Sequence, residues 1–338
     1  MRIGIDIGGS HVGIGLVDNN GSIIQKEEMF IKDKTNIKEK IEEFITEKVI
    51  QMSLVNNIES IGVSVPGTVS ENKIIKSVNL GLENYDLAGN LEGILKMPVK
   101  LKNDAKCAAL AEQKYGELAN YEDSVFLCIG TGVGTAVFHE GKMLEPDDVP
   151  GFEFSHTIIQ KDGELCNCGK RGCFETYASL KRFKQRISDR FELNTLSGKV
   201  IRQFIQDNSD NQLIKEMIKD YVEYLSIGIS NIINIFEPDA ICIGGSFSEY
   251  GNIFYEPLKE ALLQGNLLFN KRNEIIIKDN LFIINYFAFS LAEYSEYGKP
   301  YSGVTSGSVS SLTNTSSDIY IPVNQPFSLP YIPLPSGA

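Results

Sequence analysis

The stretch Arg2-Ile3-Gly4-Ile5-Asp6-Ile7-Gly8-Gly9-Ser10, with the residues that follow it to Ile23, decides the fold. Arg2–Ile7 reads as a short Ile-rich strand and Gly8-Gly9-Ser10 as a turn. Val12–Val17 reads as a second strand, Asn19-Asn20-Gly21 as a hairpin turn, and a third strand starts at Ile23. The same order returns later: Val125–Ile129, the turn Gly130-Thr131-Gly132-Val133-Gly134, Ala136–Phe138, the turn Glu140-Gly141 and a short strand around Met143. A second recurrence runs from strand to glycine, since Ser60–Val65 ends at Pro66-Gly67 and Ala240–Ile243 at Gly244-Gly245. Two similar α/β halves facing each other account for both.

Outward from these strands the helices are legible. Ile37, Ile41, Phe44, Ile45 and Val49 share one face, with Thr35 and Asn36 as candidate caps, which predicts a helix from Asn36 to Met52. Leu213, Met217, Tyr221, Leu225, Ile229, Ile232, Ile233 and Phe236 trace a longer stripe that stops before Pro238. From about Ser302 to Ala338 the chain turns to Ser, Thr, Pro, Tyr and Gly with few charges, and reads as a tail without helical periodicity.

A length of 338 residues favours two domains, and 42% hydrophobic residues place the chain in the globular range. With 44 acidic against 32 basic side chains, a formal charge of −12 argues against nucleic acid or an anionic membrane as partner and favours small-molecule chemistry. No apolar run reaches the roughly 18 residues of a membrane span, and Arg2 enters a strand pattern with no signal-peptide core, so the expected location is the cytoplasm.

Glycines directly after strands let backbone N–H groups cradle phosphate oxygens. Three such turns occur: Gly8-Gly9-Ser10, Gly130–Gly134 and Gly244-Gly245-Ser246. Each taken alone is also an ordinary hairpin or turn. Neither a P-loop nor a Gly-x-Gly-x-x-Gly opening a helix after the first strand is present, so a nucleotide would have to be clamped between the halves. Asp6 at the first strand's end is either a turn-stabilising residue or a carboxylate holding Mg²⁺ through water. Asp104, after the strand Val99–Leu101 and before an Ala-rich helix, Ala105 to Gly116, is either a helix cap or a general base facing the crevice.

Cys166, Cys168 and Cys173 crowd into eight residues close to His156, and one imidazole with three thiolates suits a closed tetrahedral Zn²⁺ site. Three reduced surface cysteines are the alternative. Cys107, Cys128 and Cys242 sit in apolar contexts and read as core, while His11 and His139 read as surface or packing residues.

Together Ile5-Asp6-Ile7-Gly8-Gly9-Ser10, Pro66-Gly67, Asn103-Asp104-Ala105, Gly130–Gly134, the Glu153/His156/Cys166/Cys168/Cys173/Glu175 block and Gly244-Gly245-Ser246-Phe247-Ser248 resemble a ROK-family sugar kinase of glucokinase type, over about residues 1–265. The resemblance implies an actin-like, hexokinase-type α/β fold: two ribonuclease-H-like lobes, a central cleft and a small zinc-binding insertion. It divides the chain into 1–117, 118–288 with the zinc segment 153–175, and an atypical tail, 289–338. It implies ATP, Mg²⁺ and structural Zn²⁺ as cofactors, a homodimer, and transfer of the γ-phosphoryl group to a hexose hydroxyl, the 6-OH foremost, with Asp104 as base. Sugar contacts would come from Gly67, Asn103, Asp104, Glu153, His156 and Glu175. Nucleotide contacts would come from Asp6, Gly8, Gly9, Ser10, Gly130, Thr131, Gly132, Gly134, Gly244, Gly245 and Ser246, and zinc ligands from His156, Cys166, Cys168 and Cys173.

Several features depart from the family's pattern. The Asn-Asp-Ala-Gly-type segment and final helix that close family members have no counterpart after Phe287; the weakly amphipathic Ser290–Tyr297 and the Ser/Pro-rich tail stand there instead. Phe152 before Glu153, Thr135 after Gly134 and Ser155 before His156 are smaller differences. A sugar-binding relic without catalysis is therefore a second expectation. A third, a sugar-responsive regulator, fits less well, because the phosphate motif begins within ten residues of Met1 and leaves no room for a winged helix.

Overall fold

The central strands are buried along nearly their whole length, so both sheets are covered on both faces. Residues 1–18, 21–145, 153–264, 274–277 and 320–322 are described by a computed structural model. The first half lays down β1 (Arg2–Ile7), β2 (His11–Val17), β3 (Ile23–Phe30), α1 (Ile37–Ser53) and β4 (Ser60–Val65). A small sheet of β5 (Thr68–Ser70), β6 (Lys73–Ser77) and β7 (Leu82–Tyr85) follows, then α2 (Leu87–Leu95), β8 (Val99–Asn103) and α3 (Asp104–Tyr115). The five-stranded sheet has the order β3-β2-β1-β4-β8, with β1, β4 and β8 parallel. Ile3, Ile5, Ile7, Ile61, Val63 and Val65 join Ile41, Ile45 and Val49 of α1 in one core.

The second half repeats this plan. It comprises β9 (Ser124–Ile129), β10 (Val133–His139), β11 (Lys142–Met143), α4 (Phe174–Ala178), α5 (Leu180–Arg190), α6 (Gly198–Asp207), α7 (Gln212–Phe236), β12 (Ala240–Gly244), α8 (Asn252–Gln264), β13 (Glu274–Ile277) and β14 (Tyr320–Pro322). Its sheet runs β11-β10-β9-β12-β13-β14, again an antiparallel hairpin beside parallel strands. The result is an α/β fold built on two mixed sheets of matching strand order. Period-2 geometry splits β9 between two cores. Val125, Leu127 and Ile129 face the α4–α8 side, where Phe174, Tyr221, Leu225 and Ile229 pack, while Phe126 meets Cys107, Ala109, Phe138 and Cys242 on the α3 side. α3 follows β8 in the chain, yet its buried face completes the second half's core.

Local details differ from the sequence reading. Asn36 precedes α1 in the left-handed region and its side chain makes no cap bond. Asn103, not Asp104, caps α3, its Oδ1 accepting the Lys106 N–H at 3.2 Å. β10 begins at Val133 instead of Ala136, because the Gly130 N–H closes onto the Gly132 carbonyl at 2.9 Å and shortens the turn. Within the predicted tail, Tyr320–Pro322 pairs antiparallel with β13. The Asn19-Asn20 part of the first hairpin turn, Phe152 and Ser290–Tyr297 lie outside the described residues.

Candidate functional site

Asp6 and Ser64 are partners in the parallel register of β1 and β4, and Ser64 is paired next with Lys102 of β8. This places a polar row across the C-terminal ends of the first sheet's parallel strands, the usual location of ligand sites in open α/β sheets. The buried Ser64 hydroxyl donates to Asp6. Burial raises the Asp6 pKa, and the Ser64 bond and nearby His11 act against that rise. His11 Nε2 lies 3.9 Å from Asp6 Oδ2, and its carbonyl accepts the Gly8 N–H at 2.8 Å, so the β1–β2 turn folds back toward the carboxylate. The exposed Gly9 and Ser10 form the tip of that turn. His11 is thus a neighbour of Asp6, and not merely the surface or packing residue expected from sequence.

At the end of β8, Asn103 bridges two elements: while its Oδ1 caps α3, its Nδ2 donates to the Gly67 carbonyl at 2.9 Å. Gly67 has φ +110°, and a Cβ there would stand 2.2 Å from the Lys76 carbonyl oxygen, so the Pro66-Gly67 turn requires glycine. Asp104, half-buried at the first position of α3, accepts the Ala105 N–H at 2.8 Å. Its pKa is pushed up to about 6, chiefly by burial and further by the negative charge of Asp6. Both carboxylates therefore act in one local field.

The second half brings two glycine turns together. Gly245 has φ +83° and packs on Ile129, where a Cβ would lie 2.5 Å from its carbonyl oxygen. Ser246 Oγ lies in van der Waals range of Gly130, and the Gly130 carbonyl accepts the Lys181 N–H at 3.1 Å. Thr131 is exposed on the same turn. Glu175 Oε2 accepts the Val133 N–H at 3.1 Å, pinning the turn to the start of α4. Gly134 lies against Ala105, the residue after Asp104, which connects the second turn to the first half. Glu153 is exposed ahead of the short 3-10 turn Phe154–His156.

Ligand atoms of His156, Cys166, Cys168 and Cys173 all lie within 4.8 Å of one another. A tetrahedral Zn²⁺ with Zn–S near 2.3 Å and Zn–N near 2.0 Å sets S···S edges of about 3.8 Å and S···N edges of about 3.5 Å. Cys168 Sγ and Cys173 Sγ are 3.6 Å apart, and Cys166 Sγ is 3.7 Å from His156 Nδ1, so the donor set fits such an ion. The fit uses Nδ1 and leaves the opposite ring nitrogen of His156 for another partner. Cys166 Sγ also lies 3.9 Å from Glu175 Oε1, so the cluster and the glycine turn share Glu175 as a neighbour.

Ser64 was not singled out from sequence, although a hydroxyl inside the uniformly buried strand Ser60–Val65 is a signal, since buried polar groups require partners. The link from Glu145 to Lys102 and Lys106 carried no such signal, because it joins residues about forty positions apart.

With two matched sheets, a carboxylate pair and a Cys/His cluster in place, relatives give the class. The chain belongs to the ROK family, whose model matches residues 2–280. It is 31% identical over 277 residues to a glucokinase of Thermotoga maritima, covering 77% of this chain and 86% of that protein. It is 27% identical over 315 residues to a xylose repressor of Caldicellulosiruptor bescii, covering 86% and 78%. In fold it matches the ROK family glucokinase of Streptomyces griseus, solved with glucose and AMPPNP, at a TM-score of 0.70 and 22% identity over 87% of this chain and 98% of that one. Among the described residues no helix is long and apolar enough to cross a membrane.

Proposed function

We propose that the protein is an ATP-dependent sugar kinase acting on the 6-OH of a glucose-like aldohexose, with Asp104 as general base. The observation that carries this is the half-buried Asp104 carboxylate, pushed up to about 6 at the start of α3, with Gly134 of the second half's glycine turn against the adjacent Ala105. Such a carboxylate is ionised at neutral pH yet basic enough to take a hydroxyl proton. As that proton moves to Asp104, the sugar oxygen attacks the γ-phosphorus and ADP leaves; positioning and charge neutralisation supply most of the rate.

The sugar would be held by Gly67, Asn103, Glu153, His156 and Glu175. The nucleotide would lie along Gly8, Gly9, Ser10, Gly130, Thr131, Gly132, Gly134, Gly244, Gly245 and Ser246. Asp6 would hold Mg²⁺ through water, and that ion would neutralise phosphoryl charge. His156, Cys166, Cys168 and Cys173 would hold Zn²⁺ in a closed site that orients His156 toward a sugar hydroxyl without taking part in the chemistry.

The xylose repressor relative favours a second reading, in which the same lobes bind a sugar and report it. An ADP-release assay with a panel of hexoses and N-acetylhexosamines, run beside zinc quantification, separates the two. Sugar-dependent ADP supports the kinase, whereas sugar binding with no ADP supports a regulator or a relic.

A further inference from the structure

Asp104 is flanked by a lysine two residues to either side, Lys102 at the end of β8 and Lys106 in the first turn of α3. A lysine side chain is long enough to reach a carboxylate that close, and pairing would both neutralise the base and lower its proton affinity. Neither ammonium takes that position. Both go to Glu145, two residues past β11: Lys102 Nζ lies 2.5 Å from Oε2 and Lys106 Nζ 3.4 Å from Oε1. The three side chains are only 17%, 18% and 23% exposed, so water screens this clamp weakly. It also crosses the molecule, since Glu145 follows the β10–β11 hairpin of the second sheet and Lys102 lies on a strand of the first.

We propose that Glu145 is a positioning residue for Asp104: by engaging Lys102 and Lys106 with its two oxygens, it holds both flanking cations away from the base and leaves Asp104 without a counter-ion among the described residues. This inference rests on Asp104 being the base. The other described groups around Asp104 do not supply a substitute cation. Asp6 of β1 is an anion that raises Asp104. His11 of β2 stands nearest to Asp6. The Cys107 thiol of α3 and the Cys128 thiol of β9 are both pushed up by burial, Cys128 to about 12, and stay neutral. Asn103 carries no charge. Among the described residues the lysines are therefore the cations whose placement would bear on the state of Asp104, and the carboxylate that places them comes from the opposite half.

The test measures Asp104 directly, by carbon-13 carboxyl titration of the ligand-free protein with the resonance assigned by its loss in Asp104→Asn, and in parallel by the acid limb of kcat/KM. In Glu145→Gln both midpoints should fall from near 6 by about one pH unit. Adding Lys102→Met and Lys106→Met to that variant should return them toward 6. Glu145→Asp keeps the charge but is one methylene too short to span both ammoniums; it should show a smaller fall, and it replaces Glu145→Gln if that variant does not fold. An unmoved midpoint in Glu145→Gln and Glu145→Asp overturns the proposal and leaves Glu145 as a structural strut. A fall that persists without the lysines also overturns it, by tracing the effect to the charge of Glu145 itself. Wild-type protein that releases no ADP with any sugar sinks the kinase reading, while the carboxyl titration still decides whether Glu145 governs Asp104.

Discussion

As the proposed base, Asp104 would carry opposite consequences for activity and stability, and both follow from its burial. A carboxyl whose folded-state pKa is raised binds protons more tightly folded than unfolded, so its contribution to stability is lost as pH rises from about 4 through about 6. The full penalty, at most about 3 kcal/mol, is then present at neutral pH. Asp104→Asn should cut turnover by about 10²–10⁴ while sugar binding persists. The same variant should be more stable than wild type by about 1–3 kcal/mol at pH 7.5 in urea unfolding, with the gain vanishing below about pH 4. Equal stability at both pH values would contradict the assigned burial. Wild-type kcat/KM should fall below about pH 6 as the base becomes protonated. Gly67 offers a second test at this scale. Gly67→Ala combines a left-handed φ with a 2.2 Å clash, whereas Gly81→Ala, at φ +67° with nothing within 4 Å, carries only the backbone cost. Gly67→Ala should therefore lose about 2 kcal/mol or more, clearly exceeding the loss at Gly81, and should weaken sugar affinity through Asn103.

Among the elements, the segment from His156 to Cys173 has little apolar interior and closes through short-range bonds. Ile158 and Leu165 bridge to Cys173 and Arg171, and the Tyr177 hydroxyl accepts the Glu164 N–H at 2.7 Å. A bound ion would be its main cross-link, because metal-binding free energy appears as local folding free energy. Cys168→Ser should lower zinc content and increase hydrogen exchange at Glu164 and Cys166, leaving α7 protected. Full zinc with unchanged exchange would rule out Cys168 as a ligand. Glu175, which touches both Cys166 and the Val133 N–H, is the route by which loss of the ion would reach the glycine turn. Most of these elements were legible in the sequence, since the stripe of α7 and the strand–glycine–strand grammar are short-range signals. The caps were less so, because whether Asn103 or Asp104 caps α3 depends on a difference of one residue that periodicity does not resolve.

At the scale of the molecule, the first sheet packs into one core and the second into two, and α3 belongs by chain order to the first half and by packing to the second. A hexose against Asn103 and a nucleotide against Gly130 and Ser246 would bind different halves, so each should stabilise the other's binding by drawing the halves together. Either ligand alone at about 100 times its Kd should add about 2.7 kcal/mol. A hexose together with a non-hydrolysable nucleotide should raise the melting temperature by more than the two separate shifts combined. Strictly additive shifts would argue against a shared site.

By itself the sequence determined the two-fold α/β plan, the glycine turns and a His/Cys set able to hold a metal ion, because these rest on short apolar strand runs, on backbone conformations that favour glycine and on ligand chemistry, all of which act over a few residues. Tertiary structure alone decided that Ser64 and His11 gather at Asp6, that α3 seals the second core, and that Glu145 draws two lysines away from Asp104. Those outcomes depend on which strands lie side by side and on burial that raises a carboxylate's proton affinity, and neither quantity exists until distant segments have packed.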